Sequence, residues 1–335
     1  MGIGNHPILS TGAIYDAFEG ARCPGRLPAL CLDLLARQKV AWSAAGAGYD
    51  ALNYVREREL KCCGFSVLVQ HNPGRIKSTL ADVGEKGVAE RACFLCPANL
   101  PKEQKGILYR KDYLILCNPM PVFSSHFTIS HLDHRPQDLA GSVAMLLRLM
   151  SDFGPGSSIL YNGPRCGASA PDHLHFQAVP SGRMPIEGEI RAKQRALRRL
   201  AGGVSVRRAR GVGREVIILD GPGPAAVGDA LHALVKGLQR VLLTDREPMM
   251  NLICIREGRT YRVLVFPRAK HRPDAFYLEG DDCLAISPAV VEMGGIMVTP
   301  LEKDFGRLDS SRVEQIFNEV SLPAAIVEQA IDAMG

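Results

Sequence analysis

Apolar and polar positions repeat in two ways along the chain. Leu30, Leu34, Leu35 and Trp42 recur at roughly helical spacing, which predicts a helix over 28–45 that stops at Gly46-Ala47-Gly48. With Ala51 these glycines form a loose G-x-G-x-x-A, but a dinucleotide fingerprint needs a strand before it, so a helix stop is the reading. Phe65, Val67 and Val69 alternate like a strand and run into a turn from Gln70 to Ser78 that carries Arg75 and Lys77. Strands are predicted over 113–117 and 126–130, and then a helix through Leu139, Val143, Leu146, Leu147 and Met150 with Asp138 as its cap. A short strand at Ile159-Leu160-Tyr161 leads through Asn162-Gly163-Pro164 to His173-Leu174-His175-Phe176-Gln177. Further on, Val216 to Leu219 reads as a strand, and Asp220 to Pro224 as a turn. Val227, Leu231, Leu234, Leu238, Val241 and Leu242 mark an amphipathic helix. Asn251–Arg256 and Tyr261–Phe266 read as a hairpin through Glu257-Gly258, and the C-terminus as helical from about Ser311. Strands followed by a helix, twice over, predict an α+β fold of two related halves, each an antiparallel sheet with packed helices. The expected units are a helical N-terminal extension (1–63), a catalytic half (64–205) and a second half (206–335).

Composition changes this picture little. The 335 residues exceed what one core usually holds, which fits two halves. Hydrophobic content of 46% with 22% charge is ordinary for a globular protein. No apolar run reaches membrane-spanning length, and Met1 to His6 lacks both a signal-peptide pattern and a myristoylation serine or threonine, so a cytoplasmic location is expected. The ten cysteines in so long a chain point to buried thiols, metal ligands or a catalytic group rather than a disulfide framework. Much of the net charge of +5 falls between Arg191 and Arg214, read as a solvated helix and loop. Phosphate or nucleic-acid binding is the alternative there, but no aromatic residue interrupts the run to stack a base.

The histidine run carries the chemistry. Side chains alternate faces along a strand, so His173, His175 and Gln177 share one side while Leu174, Phe176 and Ala178 pack on the other. An imidazole with an unperturbed pKa of about 6.5 is neutral near pH 7 and nucleophilic toward phosphorus. A glutamine amide can donate to a phosphate oxygen but is neither acid nor base and cannot easily activate water.

His173-Leu174-His175-Phe176-Gln177-Ala178 resembles the H-x-H-x-Q signature of the transferase branch of the histidine-triad superfamily, which includes galactose-1-phosphate uridylyltransferase, diadenosine tetraphosphate phosphorylase and GDP-hexose phosphorylase. Its wording is most similar to the last. Gln70-His71-Asn72-Pro73-Gly74-Arg75 resembles that phosphorylase's Q-L-N-x-G-R, and Pro121 through His126 to Ile129 the superfamily's P-x-x-x-x-H-x-x-x. Phe266-Pro267-Arg268 and Ser287-Pro288-Ala289-Val290-Val291-Glu292-Met293-Gly294-Gly295 resemble F-P-Q and N-P-A-V-W-E-x-x-G. Arg268 replaces a glutamine and Val291 a tryptophan, which leaves the sugar and the base open.

The resemblance implies a histidine-triad-like fold and roles for single residues. His175 would be the nucleophile and Gln177 the amide that steadies the phosphate. Asn162, with Gly163, would contact phosphate, as would Arg75 with Asn72 and Lys77; Arg268 would face the substrate from the second half. Cys93-x-x-Cys96 has the spacing of a metal knuckle but needs two more ligands. By resemblance to the uridylyltransferase these are His134 and His173, and the ion is a structural Zn2+. The implied activity is nucleotidyl transfer from a nucleoside diphosphate sugar through a nucleotidyl-histidine, with inorganic phosphate or a sugar phosphate as acceptor. A dinucleotide polyphosphate is the alternative substrate, and a non-catalytic nucleotide or nucleic-acid binder the alternative class. No membrane or nucleic-acid partner is expected, and a homodimer is left open.

Overall fold

The computed structural model describes residues 11–20 and 25–334. The reading of the extreme N-terminus lies outside them. In chain order the elements are strand β1 (Ile14–Phe18), helices α1 (Arg26–Ala41) and α2 (Ser43–Ala51), strands β2 (Arg56–Cys62) and β3 (Phe65–His71), and short helices α3 (Ile76–Thr79) and α4 (Glu85–Ala89). Strands β4 (Gly106–Tyr109), β5 (Tyr113–Cys117) and β6 (Phe127–His131) precede α5 (Val143–Phe153), β7 (Ser157–Asn162), β8 (His175–Pro180) and α6 (Pro185–Glu189). Then come β9 (Gln194–Arg199), β10 (Ser205–Ala209), β11 (Ile217–Gly221), α7 (Pro224–Val241), β12 (Met250–Glu257) and β13 (Thr260–Pro267). The chain closes with α8 (Val290–Met293), β14 (Ile296–Thr299), α9 (Glu302–Arg307), α10 (Ser310–Val320) and α11 (Ala324–Asp332).

Eleven strands form one sheet in the order β1-β4-β5-β6-β8-β7-β12-β13-β11-β10-β9. Its centre is the antiparallel pair β7–β12, in which Asn162 stands opposite Asn251. On either side a helix leads into a hairpin-forming pair: α5 into β7 and β8, α7 into β12 and β13. The two halves of the α+β pattern are thus fused edge to edge. A three-stranded sheet, β14-β3-β2, stands apart from the large one.

Each sheet face has its own core. One face packs Phe176, Ala178, Tyr161 and Cys254 against α1, α5, α7 and α11. In α7 the buried Val227, Leu231, Leu234 and Leu238 form the stripe its spacing predicts, and Pro224 opens the helix where a missing N–H costs nothing. The other face packs Leu160, Val179, Ile253, Leu264 and Phe266 against the small sheet, α6, α8 and α10.

Four local expectations are corrected. Gly46 and Gly48 do not stop a helix; they lie inside α2. A Cβ there would come within 2.6 Å of the Lys39 carbonyl oxygen and 2.0 Å of that of Pro119, so the glycines allow close packing. Asp138 does not cap α5, whose N-cap is Ser142; its carboxylate instead accepts from the Ala140 and Gly141 amides in the preceding turn. The basic stretch is not a solvated helix and loop; it follows α6 and forms the outermost strands β9 and β10 with their connections. Ion pairs hold Arg207 to Asp220, Arg208 to Glu215 and Glu328, and Arg191 to Glu257. Arg214 is buried against Phe317 and Phe65. Charged edge strands resist pairing with other chains, which suits this position. Finally, the histidine strand begins at His175, two residues later than the run suggests. Among the described residues no helix is long and apolar enough to cross a membrane.

Candidate functional site

The loop from Gly163 to Leu174 returns the chain from β7 to β8. Gln137 locks the two strands where they part: its amide nitrogen donates to the carbonyls of Asn162 (2.9 Å) and His175 (3.0 Å), and its oxygen accepts from the His175 N–H (2.8 Å). This side chain substitutes for the missing ladder bonds, which is why regular pairing starts only at His175. Along β8 the expected alternation holds. Leu174, Phe176 and Ala178 enter the first core, and His175 and Gln177 take the opposite face.

His175 is buried at 6% exposure, and its Nδ1 lies 2.8 Å from the His173 carbonyl oxygen. A carbonyl only accepts, so Nδ1 carries the proton and Nε2 keeps its lone pair. That Nε2 makes no hydrogen bond among the described residues. Burial pushes the pKa of His175 down to about 4, so the imidazole is neutral at physiological pH.

Two amides, Gln177 on the same strand and Asn162 at the end of β7, are each held by the oxygen. The His126 Nδ1 accepts from the Val122 N–H (3.3 Å), which leaves His126 Nε2–H to donate to Gln177 Oε1 (3.0 Å). Burial lowers the His126 pKa to about 4, in keeping with the neutral ring this arrangement requires. Asn162 Oδ1 accepts from the Val290 N–H and from Asn251 Nδ2, both at 2.8 Å. With the oxygens engaged, both NH2 groups are left to donate. Gln177, Asn162 and His126 line one cavity, together with Arg75, Ser78, Ser169, His271, Arg272, Ser287, Ala289 and Glu292. His175 is outside that lining, and Gln137 joins its carbonyl to that of Asn162.

Of the other residues singled out by sequence, Arg75 is in the cavity. Its Nη1 donates to the Met120 carbonyl (2.7 Å) and its Nη2 to Ser78 Oγ (2.9 Å), while its buried Nε has no partner. Asn72 is buried and donates to Pro121 O and Gln70 Oε1, supporting the loop from below. Gly163 serves by its backbone: a Cβ would meet the Met250 carbonyl at 2.8 Å and Cys166 Sγ at 3.0 Å. Lys77 is exposed and outside the cavity lining.

Arg268 is also outside that lining. It is 1% exposed, and its three nitrogens donate to Asn251 Oδ1 and to the carbonyls of Val320, Pro288, Lys270 and His271. Through Asn251 it orients Asn162, so the geometry makes it a support of the site. The sequence reading missed His271, Arg272 and Ser287 as lining residues, although His271 and Arg272 closely follow the recognised Phe266-Pro267-Arg268. It also gave His126 no task beyond opening a strand.

Cys93, Cys96, His134 and His173 converge at the other end of the Gly163–Leu174 loop, their ligand atoms all within 4.8 Å of one another. Cys93 Sγ–His173 Nδ1 is 3.3 Å, Cys96 Sγ–His134 Nδ1 3.2 Å and Cys96 Sγ–His173 Nδ1 3.6 Å. A tetrahedral ion with Zn–S of about 2.3 Å and Zn–N of about 2.0 Å sets S···N edges of roughly 3.5 Å. His173 Nε2 lies 2.7 Å from the His131 carbonyl oxygen, which leaves Nδ1 as the free ligand atom. The four residues can hold a metal ion.

The large sheet with its fused halves also occurs in solved structures. The yeast Ap4A phosphorylase matches with a TM-score of 0.59 at 14% identity, over 88% of this chain and 97% of that one. Its complexes with AMP (TM-score 0.55, 15% identity, 88% and 96% covered) and with Ap4A (0.56, 15%, 88% and 98%) match similarly. The fold is histidine-triad-like. Residues 34–180 match the family model DUF4922, a domain of unknown function, and residues 226–331 match the model described as GDPGP1-like, C-terminal domain. No curated protein matches the chain.

Proposed function

We propose that the protein is a nucleoside-diphosphate-sugar phosphorylase or nucleotidyltransferase acting by double displacement through a nucleotidyl-His175. The observation that carries this reading is the neutral imidazole of His175, tied at Nδ1, on the strand whose Gln177 amide, like that of Asn162 on β7, is tied at its oxygen. The Nε2 lone pair attacks the α-phosphorus, and the bond to the bridging oxygen breaks. That oxygen takes the electron pair and leaves as a sugar phosphate, which needs no general acid. The Nδ1–H bond to the His173 carbonyl strengthens as positive charge develops on the ring. Gln177 and Asn162 donate to the non-bridging oxygens. In the second step a phosphate oxygen attacks the same phosphorus, and the imidazole departs neutral with its electron pair. The Gln177 amide is neither acid nor base and does not easily activate water, which favours transfer over hydrolysis.

The GDPGP1-like match of the second half supports a GDP-hexose-like substrate. Phosphorolysis of a diadenosine polyphosphate is the second reading, favoured by the likeness to the yeast Ap4A phosphorylase in fold. Zn2+ at Cys93, Cys96, His134 and His173 would tie the loop before β8 to the chain around Cys93. Incubation with GDP-, UDP- and ADP-sugars and with diadenosine tetraphosphate, without phosphate, should add one nucleoside monophosphate by intact mass. No adduct with any of them would sink the reading, and the donor that gives one separates the two substrates.

A further inference from the structure

We infer that Arg272 and Ser287 of the second half, facing Arg75 across the cavity, form the subsite for the second phosphate: the one that leaves with the sugar and re-enters as acceptor. This rests on the proposed nucleotidyl transfer and extends it to residues that neither the motifs nor the matches assign.

Charge balance carries the inference. Arg75 and Arg272 both line the cavity, and among the described residues neither forms a salt bridge. Burial lowers the pKa of both, outweighing the opposite pull of Glu292 on Arg75 and of Tyr277 and Asp82 on Arg272. The histidines alongside add no positive charge, because His126 and His271 are both pushed down to about 4, chiefly by burial. The carboxyl in the lining, Glu292, accepts from the Ala289 N–H and is itself shifted toward its neutral form by burial. A cavity with two poorly compensated guanidinium groups and an orphaned buried Arg75 Nε is complementary to a polyanion. The two amides suffice for the singly charged nucleotidyl phosphate, whereas a dianionic phosphate calls for cations.

Arg272 is also held in place for this task. Its Nε donates to Ser287 Oγ (2.9 Å), and its Nη2 to the carbonyls of Thr79 (3.2 Å) and Ala81 (2.9 Å). The Phe276 ring lies 4.0 Å beneath the guanidinium carbon, and Tyr277 is a further hydrogen-bond partner. Since Ser287 Oγ accepts from Arg272, its own hydroxyl proton is free for His271 Nε2 (3.3 Å) or for a phosphate oxygen. The subsite is thus built by residues on both sides of the fused sheet, which gives the second half a direct part in the reaction.

The test separates the half-reactions. Nucleotidylated full-length protein is prepared with a donor that the wild type accepts, and its discharge is followed by intact mass against inorganic phosphate. In Arg272→Ala, half-maximal discharge should need at least tenfold more phosphate, with slow discharge by water unchanged. Arg272→Lys should recover most of the loss, and Ser287→Ala should show a smaller increase. An unchanged phosphate dependence in Arg272→Ala overturns the inference. So does a loss that Lys does not restore and that tracks a lower melting temperature, because Arg272 would then only staple Thr79 and Ala81. If Arg272→Ala does not fold, an unchanged Ser287→Ala overturns it instead. If the wild type forms no adduct, the proposed function fails first. Calorimetric titration of inorganic phosphate into wild type and Arg272→Ala then decides the subsite by itself, and equal or absent binding in both overturns it.

Discussion

The two central hairpins are built alike and put to different uses. In β7–β8 the partner strand has one apolar face, Phe176 and Ala178, and one polar face, His175 and Gln177. In β12–β13 the partner strand sends apolar residues to both: Tyr261, Val263 and Val265 enter the first core, Leu264 and Phe266 the second, with Arg262 paired to Asp220. The connections differ as well. Gly258 and Arg259 suffice to join β12 to β13, with Gly258 at φ +59°, whereas the long 163–174 loop carries His173 into the metal-ligand cluster. His175 sits on the half that gave up burial on one strand face, and the other half holds Asn162 in place. Asn251, opposite Asn162, shows the division of labour: the first asparagine presents its amide to the cavity, and the second is spent holding it.

The sharpest break of this comparison is His175→Ala. Loss of the nucleophile should lower nucleotidyl transfer by on the order of 10⁴-fold or more and abolish the adduct. Retained adduct would move the chemistry off β8. Next is Arg268→Leu, which leaves the Asn251 amide and four carbonyls without a donor and should destabilise by about 3–5 kcal/mol in denaturant unfolding. If Arg268 instead touched substrate, KM would rise at unchanged stability. Cys96→Ser should remove bound metal by elemental analysis and cost about 3 kcal/mol, a fall in Tm of roughly 4 °C for a chain of this size. An unchanged metal content would exclude the Cys–His cluster as the site.

The smallest effect is on pH. With the His175 pKa near 4, adduct formation should stay flat from pH 8 to about 5.5, where an ordinary histidine would already show its inflection at about 6.5. Stability should move in the same window. Between about pH 6.5 and 4 the unfolded chain takes up protons at His126 and His175 that the folded chain refuses, so Tm should fall as pH is lowered through it. A rate inflection at 6.5 would mean that water reaches His175 freely.

Much of this was legible in the chain. The periods of Val227 to Leu238 and of the Asn251–Phe266 hairpin predicted α7, β12 and β13, because local spacing decides which face is buried. Alternation also put His175 and Gln177 on one face, and a C-x-x-C with two distant histidines named a set of residues that converge. By contrast, Gly46 and Gly48 read as a stop because their neighbours at Lys39 and Pro119 come from packing between segments. Arg207 and Arg208 of β10 read as part of a solvated helix and loop because Asp220 and Glu328 reach them from other elements.

By itself, then, the sequence determined the central strands and helices, the α+β halves and the residue types available for catalysis. Only the tertiary structure decided which nitrogen of His175 is free, which way the Gln177 and Asn162 amides point, and that Arg268 supports while Arg272 faces the cavity. The physical reason is that spacing along a strand or helix is a local property. Tautomer, amide orientation and the pairing of a buried charge depend on donors and acceptors that arrive from distant parts of the chain.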